Sequence, residues 1–481
     1  MALSSPPMLS LRQMTMLKIA IAVCNDPDFQ EFVKEHGSVS FVFPSTEAQI
    51  YLEKMGKKFE QTCKLDPADP WRWENDLADE KYEIFDQYGK RESILPFSKW
   101  EELVEKKISM SILPPMLRSE LLDVIRSVAA EADRWLKEHF PISLRSCEQE
   151  QYAQSCFQWS SLGKINRLKT AKTLLTNPRL HIDYLYSIAK HYDLMENTLS
   201  HRNTNLMCPN FMEGDEASRR SRSGAGAICE KFFEKSTLKY IAWPDYFAKS
   251  APDQYLQYIQ KVMSENYIEY EDLLFCLSHI SEDEREIIFK KYALRILMYF
   301  LDWPLQSEFL YAAKHLLPYF TGNNFRDILT VILYERIMLG RKDFNYISLL
   351  KEFWAISPLL LRRFIETNSI YKILMHTMNY PIGEVFPHQK LFESFHGTGL
   401  MFGYQGMKYV LIRLETPDKS FVALNCDHFT PYLGYKFCSI TYVYKLRRRK
   451  RDKALQTQTK ERRTAFISKL RDLCHWPNRP T

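Results

Sequence analysis

Glycine is scarce in this chain, 15 in 481 residues. Loops that cradle phosphate present backbone amides without an intervening Cβ, and β-rich folds turn through residues that accept positive φ. Both are therefore disfavoured. Cysteine pairs are missing too. Cys24, Cys63, Cys147, Cys156, Cys208, Cys229, Cys276, Cys426, Cys438 and Cys474 are scattered and never form Cys-x-x-Cys. With no secretory leader, they read as reduced intracellular thiols. The apolar stretch from Met16 to Val23 is interrupted by Lys18, lacks a basic start and runs into Cys24-Asn25-Asp26-Pro27, so it does not read as a signal peptide. No run reaches the ~20 apolar residues that a membrane span requires.

Signatures of chemistry are missing as well. There is no Gly-x-Ser-x-Gly elbow and no Walker sequence. Gly397, Gly399 and Gly403 spell G-x-G-x-x-x-G, one residue too long for the dinucleotide fingerprint. Cys426-x-His428, Cys438, Cys474 and His475 lack the closely spaced ligand pairs of a tetrahedral zinc site. Cys156 sits beside aromatic residues and reads as a buried thiol. The expectation is a non-enzymatic protein with no cofactor, no metal and no membrane span, working in the cytoplasm.

What is present is hydrophobic patterning. Apolar residues make up 45% and aromatic residues 14% of the chain, enough for sizeable cores, and the length suggests about three domains. The clearest stretch is 281–380, which reads as six short amphipathic helices. Ser281 with Glu284 forms a capping box, followed by Ile288, Tyr292, Ile296 and Phe300 at helical spacing. Asp302-Trp303-Pro304 separates this from a second stripe, Phe309, Ala312, Ala313, Leu316, Leu317 and Phe320, which Pro318 should kink or end. Gly322 reads as a stop and Asn324 as the cap of a third helix ending at Gly340. Asp343 reads as the cap of a fourth, carrying Phe344, Ile347, Leu350 and Trp354. Ser357-Pro358 opens a fifth, followed by Leu361, Phe364 and Ile365, and a sixth begins near Ser369. The first three centre near 292, 312 and 332, so a helix pair spans about forty residues, as in HEAT-like arrays. The fold class expected is all-α, either a helical-repeat (HEAT/armadillo-like) array or an irregular bundle, with a small β-rich segment near the C-terminus.

Upstream, residues 1–60 read as two helices, the first with Leu11, Met14, Leu17, Ile21 and Cys24 on one face. Thr46 with Gln49 reads as a capping box for the second, and Val39 to Phe43 is either a strand or a buried connector. Trp71 and Trp73 precede an acidic stretch from Glu74 to Gln87. Residues 116–139 form the plainest single helix, with Leu117, Leu121, Val124, Val128 and Trp135 in step. Further helices follow at 164–175 and from Ile182 to His191. Residues 209–228 carry no apolar period and read as a linker. Helices return through Tyr255 to Met263 and Tyr270 to Leu277. Beyond Tyr380, Lys408 to Leu414 and Ser420 to Leu424 flank a proline-containing turn and read as a β-hairpin, with a third strand over 435–445. The expected organisation is a helical domain over 1–208, a linker over 209–228, a helical ladder over 229–380, a β-rich module over 381–445 and a basic tail over 446–481.

The tail carries the strongest local charge. Residues 445–463 hold ten basic and two acidic residues, a charge of +8 in a chain of +6, which leaves −2 elsewhere. Arg447, Arg448, Arg449, Lys450, Arg451, Arg462 and Arg463 suit nuclear import or contact with a polyanion, while the body lacks the broad basic face of a nucleic-acid binder.

Two stretches resemble a known family. Ile112-Leu-Pro-Pro-Met-Leu-Arg-Ser-Glu-Leu-Leu-Asp-Val-Ile-Arg126 with Trp135-Leu-Lys-Glu-His139 is one. Gly163-Lys-Ile-Asn-Arg-Leu-Lys-Thr-Ala-Lys-Thr-Leu-Leu175 with Leu301-Asp-Trp-Pro-Leu-Gln-Ser-Glu-Phe309 is the other. They look like a large arthropod, mainly arachnid, family of helical proteins, over roughly residues 1–380. The resemblance implies architecture and no chemistry. Some members end in a suppressor-of-cytokine-signalling box, which implies elongin and cullin partners. Leu470 and Cys474 match two positions of that box, whereas Lys469, Pro477 and Asn478 depart from it. Three readings follow: a helical scaffold for a protein partner, an adaptor of a cullin-type ubiquitin ligase through Leu470 and Cys474, and a nuclear or RNA-associated protein acting through the tail.

Overall fold

The computed structural model describes residues 7–54, 57–58, 96–109, 113–143, 152–195, 242–265, 268–381, 386–395, 400–415, 422–430 and 435–444, with a few single positions besides. Helix accounts for 71% of what is described, and a small sheet lies toward the C-terminus. The linker at 209–228, Trp71, Trp73 and the acidic stretch after them lie outside the described residues.

The N-terminal part holds helices α1 (Leu11–Cys24), α2 (Pro27–His36) and α3 (Ser45–Lys54), one more than the sequence suggests. Ser10 caps α1 in a capping box with Gln13. The buried face of α1 is Met16, Leu17, Ala20, Val23 and Cys24, while Leu11 is 77% and Met14 41% exposed. The expected stripe is thus rotated, because α1 lies along the long helix α5 described below and buries what faces it. Phe41, Val42 and Phe43 are a buried connector, not a strand. Helix α4 (Pro96–Ser109) buries Phe97, Trp100, Val104 and Ile108 at helical spacing. Helix α5 (Pro115–Ser143) buries Leu121, Val124, Val128 and Trp135 as expected. Then come α6 (Arg167–Thr176), capped by Asn166, and α7 (Ile182–His191).

Between α5 and α6 the chain turns at Gly163, whose φ is 71°. A Cβ there would lie 2.9 Å from the Trp303 ring and 3.1 Å from Leu17. Gly163→Ala should cost on the order of 1–3 kcal/mol, from left-handed strain and overpacking together. A urea midpoint equal to the parent protein's would refute this.

The second half continues with α8 (Trp243–Lys249), α9 (Tyr255–Glu265) and α10 (Tyr270–Ser278). The six segments read over 281–380 are all present: α11 (Glu282–Tyr299), α12 (Phe309–Leu316), α13 (Gly322–Thr330), α14 (Tyr346–Ile356), α15 (Leu359–Glu366) and α16 (Tyr371–Met378). The Ser281–Glu284 capping box forms, and Pro318 ends α12 through a short 3-10 turn. Three caps shift. Thr321, not Asn324, caps α13, and Gly322 begins that helix rather than stopping its predecessor. Asn345, not Asp343, caps α14, and Ser357 closes α14, leaving Pro358 before α15. α11 packs on α12 and α13, α12 on α14, α13 on α15, and α14 on α16. After α13 the helix widens into a π-helical stretch, Val331–Ile337, buried along its whole length. The 2.8 Å bond from the Met338 amide to the Leu333 carbonyl spans five residues. Widening by one residue per turn brings the neighbours Glu335 and Arg336 both inside.

Helix α17 (Gln389–Ser394) leads to strands β2 (Leu400–Tyr404), β3 (Met407–Glu415), β4 (Val422–Thr430) and β5 (Tyr435–Tyr444); the two-residue β1 (Lys57–Lys58) joins the edge of β3. The expected hairpin of β3 with β4 does not form. β3 pairs in parallel with β5, and β4 pairs antiparallel on the far side of β5. β5 is the longest strand and the richest in aromatic and β-branched residues, which suits it to the central position. The hairpin that does form is β2–β3, through Gln405 and Gly406, both at positive φ as a primed turn requires. Residues from α1 through the start of β3 belong to one apolar core; a second gathers around Trp135, Phe157, Leu174, Leu185 and Ile188.

Candidate functional site

The densest chemistry lies inside the protein. Besides its apolar stripe, α5 carries Asp123, Arg126, Glu131 and Arg134, all buried. Buried charge is stable only when paired and hydrogen-bonded, and here every one is. At the first junction, Asp123 accepts the Lys342 amide at 2.6 Å and pairs with Arg341 at 3.5 Å and Arg126 at 3.3 Å. Arg126 donates to the Phe41 carbonyl at 2.6 Å and pairs with Glu101. The Phe41–Phe43 connector stays irregular because its carbonyls are taken by these guanidiniums, Arg341 holding that of Val42. Burial lowers Arg341 to about 10 despite Asp123.

At the second junction, Arg134 pairs with Glu131 at 2.9 Å and Glu269 at 2.6 Å, and Arg167 with Glu138 and with Glu269 at 3.2 Å. This ties α5 to α6 and to the start of α10.

The third junction fastens the ladder to the β2–β3 hairpin. Arg336 reaches Asp302 and the Gly403 carbonyl, each at 3.0 Å. Glu335 accepts the Gly403 amide at 2.5 Å and pairs with Lys408 at 2.9 Å. Asp302 accepts the Gln405 amide at 3.1 Å. Burial would push the Glu335 carboxyl up, but Lys408 and Arg336 hold it below its ordinary value. Nearby, Lys164 donates to the Tyr404 hydroxyl at 2.7 Å with its ammonium 4.3 Å from the ring centre, and burial lowers its pKa. The gap beside Asp302, Gly403 and Gln405 measures about 20 Å³, the size of one water and too small for a substrate. Gly403, a member of the G-x-G-x-x-x-G run, has its amide and carbonyl committed to Glu335 and Arg336. The three junctions lock elements together and leave their charged groups facing one another.

His139 occupies the second core. Its ring stacks on Trp135 at 3.8 Å, its Nδ1 lies 2.7 Å from the Trp135 carbonyl and its Nε2 2.6 Å from the Tyr192 hydroxyl. Nδ1–H therefore donates, Nε2 accepts, and the ring is neutral. Burial, with His191 and Arg167 nearby, holds its pKa well below the usual value. An unfolded histidine titrates near ~6.5. Below that, the unfolded chain binds a proton that the folded chain refuses, so this contribution is present above ~6.5 and is lost as pH falls, by up to ~1.4 kcal/mol per unit. Asp272 and Asp343, each pushed up to about 7 by burial, with Glu269 and Asp123 respectively adding to the effect, act in the opposite sense. They hold protons that the unfolded chain releases, so their contribution is lost as pH rises toward 7. The measurement is therefore a difference: the stability gap between the parent and His139→Gln should shrink from pH 7.5 to 5. A constant gap would show that His139 does not titrate as described.

An open surface groove of about 510 Å³ lies between α8, α9 and α11. Tyr246 and Tyr258 stack at its wall with ring centres 4.0 Å apart, and Gln254, Gln257, Lys261 and Lys291 line it. Among the described residues no carboxylate lines it.

Among the described residues no group of His, Cys, Asp and Glu side chains could hold a metal, and no helix is long and apolar enough to cross a membrane. Cys24, Cys156 and Cys276 are buried free thiols, Cys156 as expected. Cys426 and His428 fall on β4 and Cys438 on β5, where Cys438 stands opposite Asp427. Leu470, Cys474, Arg447, Arg448, Arg449, Lys450, Arg451, Arg462 and Arg463 lie outside the described residues, as do Gly397, Gly399 and His475. Compared with known protein families, curated proteins and solved structures, the chain matches none.

Proposed function

We propose that the chain is a non-enzymatic helical scaffold that binds another protein, with residues 282–378 forming a HEAT/armadillo-like array. The observation that carries this is the order of packing: α11, α13 and α15 stack on one another, and α12, α14 and α16 stack in a second row. Two parallel rows of alternate helices are what stacked helical pairs produce, and such arrays offer extended surfaces to partner segments. The Tyr246–Tyr258 groove is open and lined by amide and ammonium groups, in keeping with a polymeric partner.

Proximity labelling in cells tests the reading, comparing the full chain with one lacking residues 446–481. Removal should stop there, since cutting at Tyr380 would strip Gly403, Gln405 and Lys408 from their buried partners. One set of protein partners shared by both chains supports the scaffold. Elongins and a cullin found only with the full chain would favour the ligase adaptor through Leu470 and Cys474. Loss of nuclear labelling on deletion would favour the tail reading.

A further inference from the structure

Leu361, Phe364 and Ile365 recur at helical spacing along α15. In the structure Leu361 and Ile365 are buried, but Leu359, Leu360 and Phe364 are 54%, 79% and 40% exposed. They stand at helical spacing on one rigid element. Phe364 is seated on the start of α13, where a Cβ on Gly322 would lie 2.5 Å from its ring. An apolar ridge fixed in position, rather than scattered single residues, marks an interaction surface. Arg363 lies within the ridge and Arg362, half-buried, flanks it. Neither forms an ion pair among the described residues; the Arg362 Nε is buried without a hydrogen-bond partner, whereas Arg363 is exposed.

We propose that α15 is a docking site for an acidic amphipathic helix, whose apolar side chains cover Leu359, Leu360 and Phe364 while its carboxylates pair with Arg362 and Arg363. Charge complementarity selects this occupant: two unpaired guanidiniums beside leucine and phenylalanine match a helix with apolar residues at i, i+3 and i+4 and acids on their flank. A lipid surface is the weaker match, since a single eight-residue helix with two cations buries little area and gains little from anionic lipid. The proposal rests on the scaffold reading and names the kind of partner it takes.

The test selects a displayed library of random sixteen-residue helix-forming peptides against the full chain, with counter-selection against Leu360→Asp/Arg363→Glu. Both residues are exposed, so the variant should keep the parent's circular dichroism and melting temperature. Enriched peptides should be acidic and amphipathic, and each should bind the variant at least roughly tenfold more weakly. Arg363→Glu alone should regain binding to a peptide whose acids are exchanged for lysine. No enrichment, or enrichment without acidic amphipathic character, overturns the proposal. So does binding to vesicles of three parts phosphatidylcholine to one part phosphatidylserine that the variant loses, or a dimer in sedimentation that the variant breaks. Failure here with protein partners still found by proximity labelling would reject this docking site and leave the scaffold standing.

Discussion

Arg336→Met should destabilise the protein by about 3–5 kcal/mol, the usual cost of breaking a buried ion pair from one side. Arg336 is 2% exposed and serves Asp302, the Leu301 carbonyl and the Gly403 carbonyl at once. Methionine fills much of the volume but leaves Asp302 with its Gln405 contacts alone. Adding Asp302→Asn removes the orphaned charge, so the double variant should be more stable than Arg336→Met by ~1 kcal/mol or more. Urea unfolding of the parent, both single variants and the double variant gives the coupling directly. A loss below ~1 kcal/mol for Arg336→Met would mean that the hairpin is not fastened by this junction.

Trp135→Ala should cost a similar amount, about 3–5 kcal/mol. The side chain is 1% exposed, stacks on His139 and meets Phe157 edge-on at 4.9 Å. Its removal leaves a cavity in the smaller core, which has few apolar layers to collapse into it. It also opens the His139 ring to water, so the acid-dependent loss of stability should weaken along with overall stability. Trp135→Phe keeps an aromatic partner for His139 and should lose less than half as much. If alanine and phenylalanine cost the same, ring stacking contributes nothing and the effect is one of helix geometry.

The helices of 281–380 were readable because each local signal is sufficient in itself. Ser281 and Glu284 satisfy one another's amides, and Pro318 has no amide hydrogen to continue the α-helical ladder. The caps that shifted, from Asn324 to Thr321 and from Asp343 to Asn345, did so where two candidate residues lie within a turn of each other. Asp343 was not free to cap because it bonds Gln306 at 2.7 Å. The exposed ridge was missed for a related reason: Phe364 has the spacing of a core residue, and only the seat on Gly322 shows that its outer edge stays open.

The charged junctions were not legible at all. On α5, Asp123, Arg126, Glu131 and Arg134 follow the same period as a solvated face, and a single sequence does not distinguish a charge facing water from one facing another charge. The sequence by itself therefore determined the helical character, most helix ends and the change to strands beyond Tyr380, all of which follow from backbone propensity and the spacing of apolar residues. The tertiary structure alone decided that α5 is buried on its charged side, that β5 separates β3 from β4, and that Arg336 meets Gly403. Those outcomes depend on partners tens to hundreds of residues away, and their free energy comes from removing paired charges and strand edges from water together, which no local stretch can do.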